Sequence, residues 1–255
     1  MFLAKSFSRK IKKIKFSSAL VLSLCLAAPA VGNAQSNDDG QPEKVNESFK
    51  TAYIPDGFDS NDKVEIVGEG VFRNSCYREA FTNAKLDREK KVITVDPKAY
   101  RYESPLCLTM LVPYKQVIDL GVLDAGDYTL KQESGETLGS LNVRAATNSS
   151  PDDHLYAPIS QAYLGKADSG QWSVYLEGEF SNNCLELVDI MIDIQPKVIV
   201  VQPIAELTSN TGCEQGKFPF SANKVIESSK LERKRYLLHV RTLNANSVNN
   251  LVEVY

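Results

Sequence analysis

Gly70-Val71-Phe72-Arg73-Asn74-Ser75-Cys76 is followed by Cys107, then by Pro113-Tyr114, then by Leu123-Asp124-Ala125-Gly126-Asp127-Tyr128. The same order returns about 106 to 108 residues later. There it reads Gly178-Glu179-Phe180-Ser181-Asn182-Asn183-Cys184, then Cys213, then Pro219-Phe220, then Leu231 with Tyr236. The chain is a duplicated unit. What the copies share is glycine, cysteine, proline, core apolars and one tyrosine, residue types that build a fold. Activity is expected where the copies disagree.

Around the motif the hydrophobicity has period two, the mark of half-buried strands. Val64 and Ile66 precede the first glycine; Trp172, Val174 and Leu176 precede the second. Trp172 takes the place of Val64, so it reads as a core residue, not a sugar-stacking platform. Leu185 to Ile194 alternates without a helical stripe, and its Asp189 and Asp193 share a face that reads as solvated. Val92–Val95 and Val198–Val201 are short apolar runs followed by Pro97 and Pro203, as in buried strands leaving a sheet. Leu106 to Tyr114 reads as the strand carrying the second cysteine. A hairpin closes each copy, Tyr128–Gln132 with Leu138–Val143, and Tyr236–Arg241 with Leu251–Val254. About seven short strands per copy predict an all-β sandwich, twice. The boundaries are 51–144 and 154–255, joined by a polar linker at 145–153. Gln35 to Lys50 is polar and reads as a flexible lead-in.

The first 34 residues carry a basic start (Lys5 to Lys15), an apolar run (Ser17 to Val31) and Gly32-Asn33-Ala34. These predict a signal peptide at 1–34 and an exported protein, periplasmic or extracellular, with no transmembrane span once it is cleaved. The leader holds six basic residues and no acidic one. Without it 23 basic residues face 32 acidic ones, and the net charge moves from −3 to about −9. An acidic surface repels phosphate backbones and excludes nucleic acid as a partner. Four cysteines remain, 31 residues apart in the first copy and 29 in the second. An even count in an exported chain points to disulfides, and the repeat selects Cys76–Cys107 and Cys184–Cys213. No closely spaced Cys-x-x-Cys pair supports zinc.

The Leu-x₄-Tyr corner, Leu123 to Tyr128 and Leu231 to Tyr236, resembles the tyrosine corner of Greek-key immunoglobulin-like domains. The full pattern also resembles the tandem immunoglobulin-like sandwich modules of uncharacterised bacterial exported proteins and lipoproteins. It reads strand–Gly-x-[Phe/Leu]-x-Asn-x-Cys, then Cys, then Pro-[Phe/Tyr], then the corner. The resemblance spans about 63–143 and 171–254. It implies two tandem immunoglobulin-like Greek-key β-sandwiches from an internal duplication, each with one intradomain disulfide. True immunoglobulin domains separate their cysteines by more, so a staple between neighbouring strands is expected here. Lys234 stands where Gly126 sits, which leaves the second corner's turn open.

The chemistry is sparse. After the leader the chain has His154 and His239 only. His154 borders the linker, and His239 takes the place of Lys131 and reads as solvent-exposed. No nucleophile elbow, zincin motif or phosphate loop occurs. Asp38-Asp39-Gly40 and Asp119/Asp124/Asp127 lack the calcium-loop pattern. No catalytic residue, cofactor or metal is expected. What remains is binding, at loops. Tyr100, Arg101 and Tyr102 are contact-rich residue types, and the second copy has Ala205-Glu206-Leu207 nearby instead. The expected partner is another envelope or extracellular protein. The other expectation is a glycan, with the chain as a carbohydrate-binding accessory.

Overall fold

The computed structural model describes residues 41–104, 106–150 and 152–255. The expected signal peptide, Asp38-Asp39-Gly40 and the first part of the lead-in lie outside the described residues. The first half holds β1 (Glu43–Asn46), β2 (Phe49–Tyr53), β3 (Phe58–Asp59), β4 (Lys63–Phe72), β5 (Tyr77–Glu79) and β6 (Asn83–Asp87). It continues with β7 (Val92–Asp96), β8 (Lys98–Arg101), β9 (Val112–Val122), β10 (Gly126–Gln132) and β11 (Thr137–Arg144). The second half holds β12 (Ile159–Lys166), β13 (Trp172–Asn182), β14 (Leu185–Ile194), β15 (Val198–Leu207), β16 (Gln215–Val225), β17 (Arg235–Thr242) and β18 (Asn246–Glu253). A single 3-10 turn, Ser228–Lys230, precedes β17, and no α-helix occurs among the described residues.

Each half is a β-sandwich. In the second, β12–β13–β16 faces β14–β15–β17–β18. Trp172, Val174 and Leu176 fill the core against Ile199, Val201, Leu238 and Val240. In the first, β2–β4–β9 faces β3–β11–β10–β7–β6, and Val64, Ile66 and Phe72 pack with Ile93, Val95, Tyr128 and Leu130. The long β14–β15 hairpin has a broken counterpart there. Ala80 to Thr82 separates β5 from β6, and Pro97 separates β7 from β8. A third small sheet, β1–β8–β5, results. β7 runs parallel to β10, as β15 does to β17. That pairing departs from the wholly antiparallel immunoglobulin plan.

Both disulfides form, Cys76–Cys107 and Cys184–Cys213, with Cα separations of 5.3 and 5.5 Å. Each ties the turn after β4 or β13 to the loop before β9 or β16. Those strands are antiparallel neighbours, so each bond staples one sheet at its end. Disulfides persist in oxidising, non-cytoplasmic compartments.

Two expectations need correction. The lead-in is not loose throughout: β1 lies within it and pairs with β8 from Glu43↔Arg101 to Asn46↔Lys98. Its two large apolar residues explain this, because Val45 packs on the core and Phe49 is fully buried. The run Leu106–Leu111 is also not strand. β9 begins at Val112, and Leu106, Leu108, Met110 and Leu111 are exposed.

β17 is buried on both faces, whereas its counterpart β10 keeps one face partly exposed. Tyr236, Leu238 and Val240 point into its own core. Leu237 joins Val198 and Val200 against Tyr53 and Val67 of the first sandwich. On the same face Arg235 bonds Glu69, His239 approaches Glu65 at 3.4 Å, and Arg241 approaches Asp62 at 3.4 Å. The outer face of β4 thus lies along the outer face of β17.

Candidate functional site

The stapled end of the first sandwich is built by its shared motif. Asn74 turns its side-chain oxygen onto the Cys76 amide at 2.9 Å, and Asn182 does the same for Cys184 at 3.0 Å. This is the local side-chain turn that Asn favours. The disulfide then carries the incoming loop across, where Ser75 N–H donates to Leu108 O and Leu108 N–H to Ser75 Oγ. The loop's backbone is anchored while its side chains stay outside. Leu106 is 83% exposed and Leu111 72%, with Leu108 and Met110 between them. Their counterparts are Gly212, Glu214, Gly216 and Lys217. Apolar clusters of this kind on a surface mark contact sites.

Of the three expected contact residues, the structure brings two to the surface beside this loop. Tyr100 and Tyr102 are exposed, and the Tyr102 amide donates to Cys76 O at 2.9 Å, next to the staple. Arg101 is engaged elsewhere, in an ion pair with Glu43 of β1. Arg73 lies over the Tyr77 ring at 5.5 Å, and Arg78 donates to Ser75 O and Tyr77 O. Burial pushes the nearby Glu47 carboxyl up, against the pull of Arg73. The apolar loop was missed as a site because it was taken for strand. Its signal was present in the copies, which agree on Cys and Pro and disagree at every residue that is now exposed.

His239 is not a surface residue. It is 1% exposed, and its Nδ1 lies 2.9 Å from Asn249 Oδ1. Asn249 donates to Glu65 at 2.8 Å, and Lys115 reaches Asn249 O. Desolvation pushes the imidazole below its ordinary range, opposed by Glu65. The comparison with Lys131 failed because β10 faces outward where β17 faces the other sandwich. A cavity of about 20 Å³ beside it is lined by Phe58, Asp62, Glu65 and Arg241, room for about one water. Burial also pushes the Asp62 carboxyl up. These groups form a largely buried polar seam between the sandwiches.

Asp189 and Asp193 do not act as a pair. Asp189 accepts from the Ile190 amide and from Lys224, which together hold its carboxyl low. Asp193 accepts from Gln195 at 2.9 Å. Trp172 is buried, as its place in the repeat requires. Among the described residues no three His, Cys, Asp or Glu side chains are placed to hold a metal.

A family model described as the ORF11 beta-sandwich domain matches residues 66–143. The match runs from β4 into β11 and leaves the second sandwich uncovered. No curated protein and no solved structure matches the chain.

Proposed function

We propose that the protein is a non-enzymatic, exported binding or structural protein. It meets another envelope or extracellular protein through the stapled end of the first sandwich. The observation that carries this reading is the loop of Leu106, Leu108, Met110 and Leu111, held open by Cys76–Cys107 beside Tyr100 and Tyr102. A rigid, disulfide-anchored display of apolar and aromatic side chains loses little conformational entropy on binding. The leader-like first 34 residues and the likeness to bacterial exported modules support export, and the two disulfides are consistent with it.

The test is a photo-cross-linking residue at position 108, activated in intact cells. A discrete adduct is expected, and Leu106→Glu with Leu111→Glu should abolish it. No adduct, or the same adduct from position 214 in the second copy, would overturn the reading. Exposure of Tyr100 and Tyr102 also favours a second reading, a glycan accessory. Retention on cell-wall polysaccharide, lost in Tyr100→Ala/Tyr102→Ala, would support it.

A further inference from the structure

The contact between the two sandwiches joins unlike faces. The first sandwich offers the outer face of its three-stranded sheet, with Tyr53 and Val67 at the centre. The second offers the outer face of its four-stranded sheet, with Val198, Val200, Leu237 and Leu251. A heterologous contact between repeated units leaves one face of each kind unused. The unused three-stranded face belongs to β12–β13–β16.

The ladders fix the equivalent positions there. Tyr53 pairs with Val67, and Tyr163 pairs with Tyr175. Tyr163 and Tyr175 therefore stand where the first sandwich makes its docking contact. Their rings stack at 4.9 Å with an 8° interplanar angle, and Tyr163 is 48% exposed. Glu177 stands where Glu69 receives Arg235.

The other unused face, on the first sandwich, has been made largely polar, with only Val92 kept apolar at the position of Val198. Thr94, Thr129 and Ser140 stand at the positions of Val200, Leu237 and Leu251, as the matching ladders show. Asp127 stands where Arg235 does, so it would meet Glu177 with like charge. This arrangement blocks stacking of one copy on the next, as terminal repeats do in repeat proteins. The tyrosine face keeps the acidic residue and carries an aromatic pair, although Asn223 and Ser173 replace Val117 and Glu65.

We infer that the open face of β12–β13–β16 is a docking surface for a β-sandwich domain of another protein. That partner's sheet carries a Val/Leu centre with an arginine placed to meet Glu177, the chemistry this chain uses on itself. The inference does not depend on the stapled loop.

The test restores that chemistry on the chain's own polar face. A full-length variant with Thr94→Val, Thr129→Leu, Ser140→Leu and Asp127→Arg should self-associate head to tail in sedimentation velocity, with mass rising with concentration. Tyr163→Ser and Tyr175→Ser in the same background should weaken association by about tenfold or more. Circular dichroism and intact disulfides in unreduced peptides check that each variant folds. A variant that stays monomeric, or associates equally well without the tyrosines, would overturn the inference. So would wild-type retention on insoluble polysaccharide that Tyr163→Ser/Tyr175→Ser abolishes, which would assign the face to a glycan.

Discussion

Tyr128 and Tyr236 hold the same place in the two copies and use their hydroxyls in opposite senses. Tyr128 donates to Asp124 O at 2.7 Å and is approached by Lys91 Nζ at 3.1 Å. Tyr236 instead accepts from the Glu232 amide at 3.0 Å. The cause lies two residues earlier. Gly126 adopts φ +148°, open to glycine, whereas Lys234 has no such backbone and a 3-10 turn leads into its corner. Tyr128→Phe and Tyr236→Phe should each cost about 1 kcal/mol, read as a lower urea midpoint with an unchanged slope. His239 adds a pH dependence. Glu65, Asn249, Lys115 and Arg241 surround it, yet desolvation keeps its folded pKa below the unfolded value. The unfolded chain then binds the proton more readily, so the contribution is complete above about pH 6.5 and falls as pH drops below it. The melting temperature should decline between pH 7.5 and 5.5, and His239→Gln should flatten that decline. An unchanged slope in the variant would refute the assignment.

At the scale of the element, the repeated motif now has a physical account. A Cβ on Gly70 would strike the Tyr114 ring, and one on Gly178 the Phe220 ring. Each aromatic residue lies across the glycine of the paired strand and stacks on the motif phenylalanine, Tyr114 on Phe72 at 4.1 Å and Phe220 on Phe180 at 4.5 Å. Gly-x-Phe and Pro-[Tyr/Phe] are thus two halves of one cross-strand contact. This much was legible, because period-two burial and repeated spacing report the inside of a sandwich. Pairing order was not. Nothing local in Val92–Val95 says that it lies parallel to β10, and β1 was hidden by its exposed charged residues. The staples should each contribute about 3–4 kcal/mol by limiting the unfolded chain. Cys76→Ala/Cys107→Ala and Cys184→Ala/Cys213→Ala should lose similar stability in urea. Only the first pair should also lose the cross-linked adduct from position 108, because only that bond holds the apolar loop. Loss of the adduct in both variants would mean that the loop acts through overall stability.

For the whole molecule, the decisive contrast is between Tyr128-Thr129-Leu130-Lys131-Gln132 and Tyr236-Leu237-Leu238-His239-Val240. The first alternates and belongs to a sheet with one wet face. The second is nearly continuous in apolar residues, the pattern of a strand covered on both sides. That difference was a sequence-level sign of the joint, as was Val200 in place of Thr94, and matching His239 to Lys131 concealed it. The joint grades along β17 from the Arg235 pairs with Glu69 and Glu253, through Leu237 against Tyr53 and Val67, to Arg241 beside Asp62. Tyr53 strengthens the first step by donating to Glu69 at 2.8 Å. The half-exposed Arg235 pairs contribute little each, and the buried Arg241–Asp62 pair is offset by its desolvation, so the apolar centre must carry most of the cohesion. Leu237→Asp places an unpaired charge there and should cost about 3 kcal/mol or more. Small-angle scattering should show a larger radius of gyration, and calorimetry should resolve two transitions in place of one as the sandwiches uncouple. Thr129→Asp, at the equivalent position on the open face of the first sandwich, should leave both measurements unchanged. If the two substitutions behave alike, the sandwiches do not depend on this joint and β17 is not buried by it in solution.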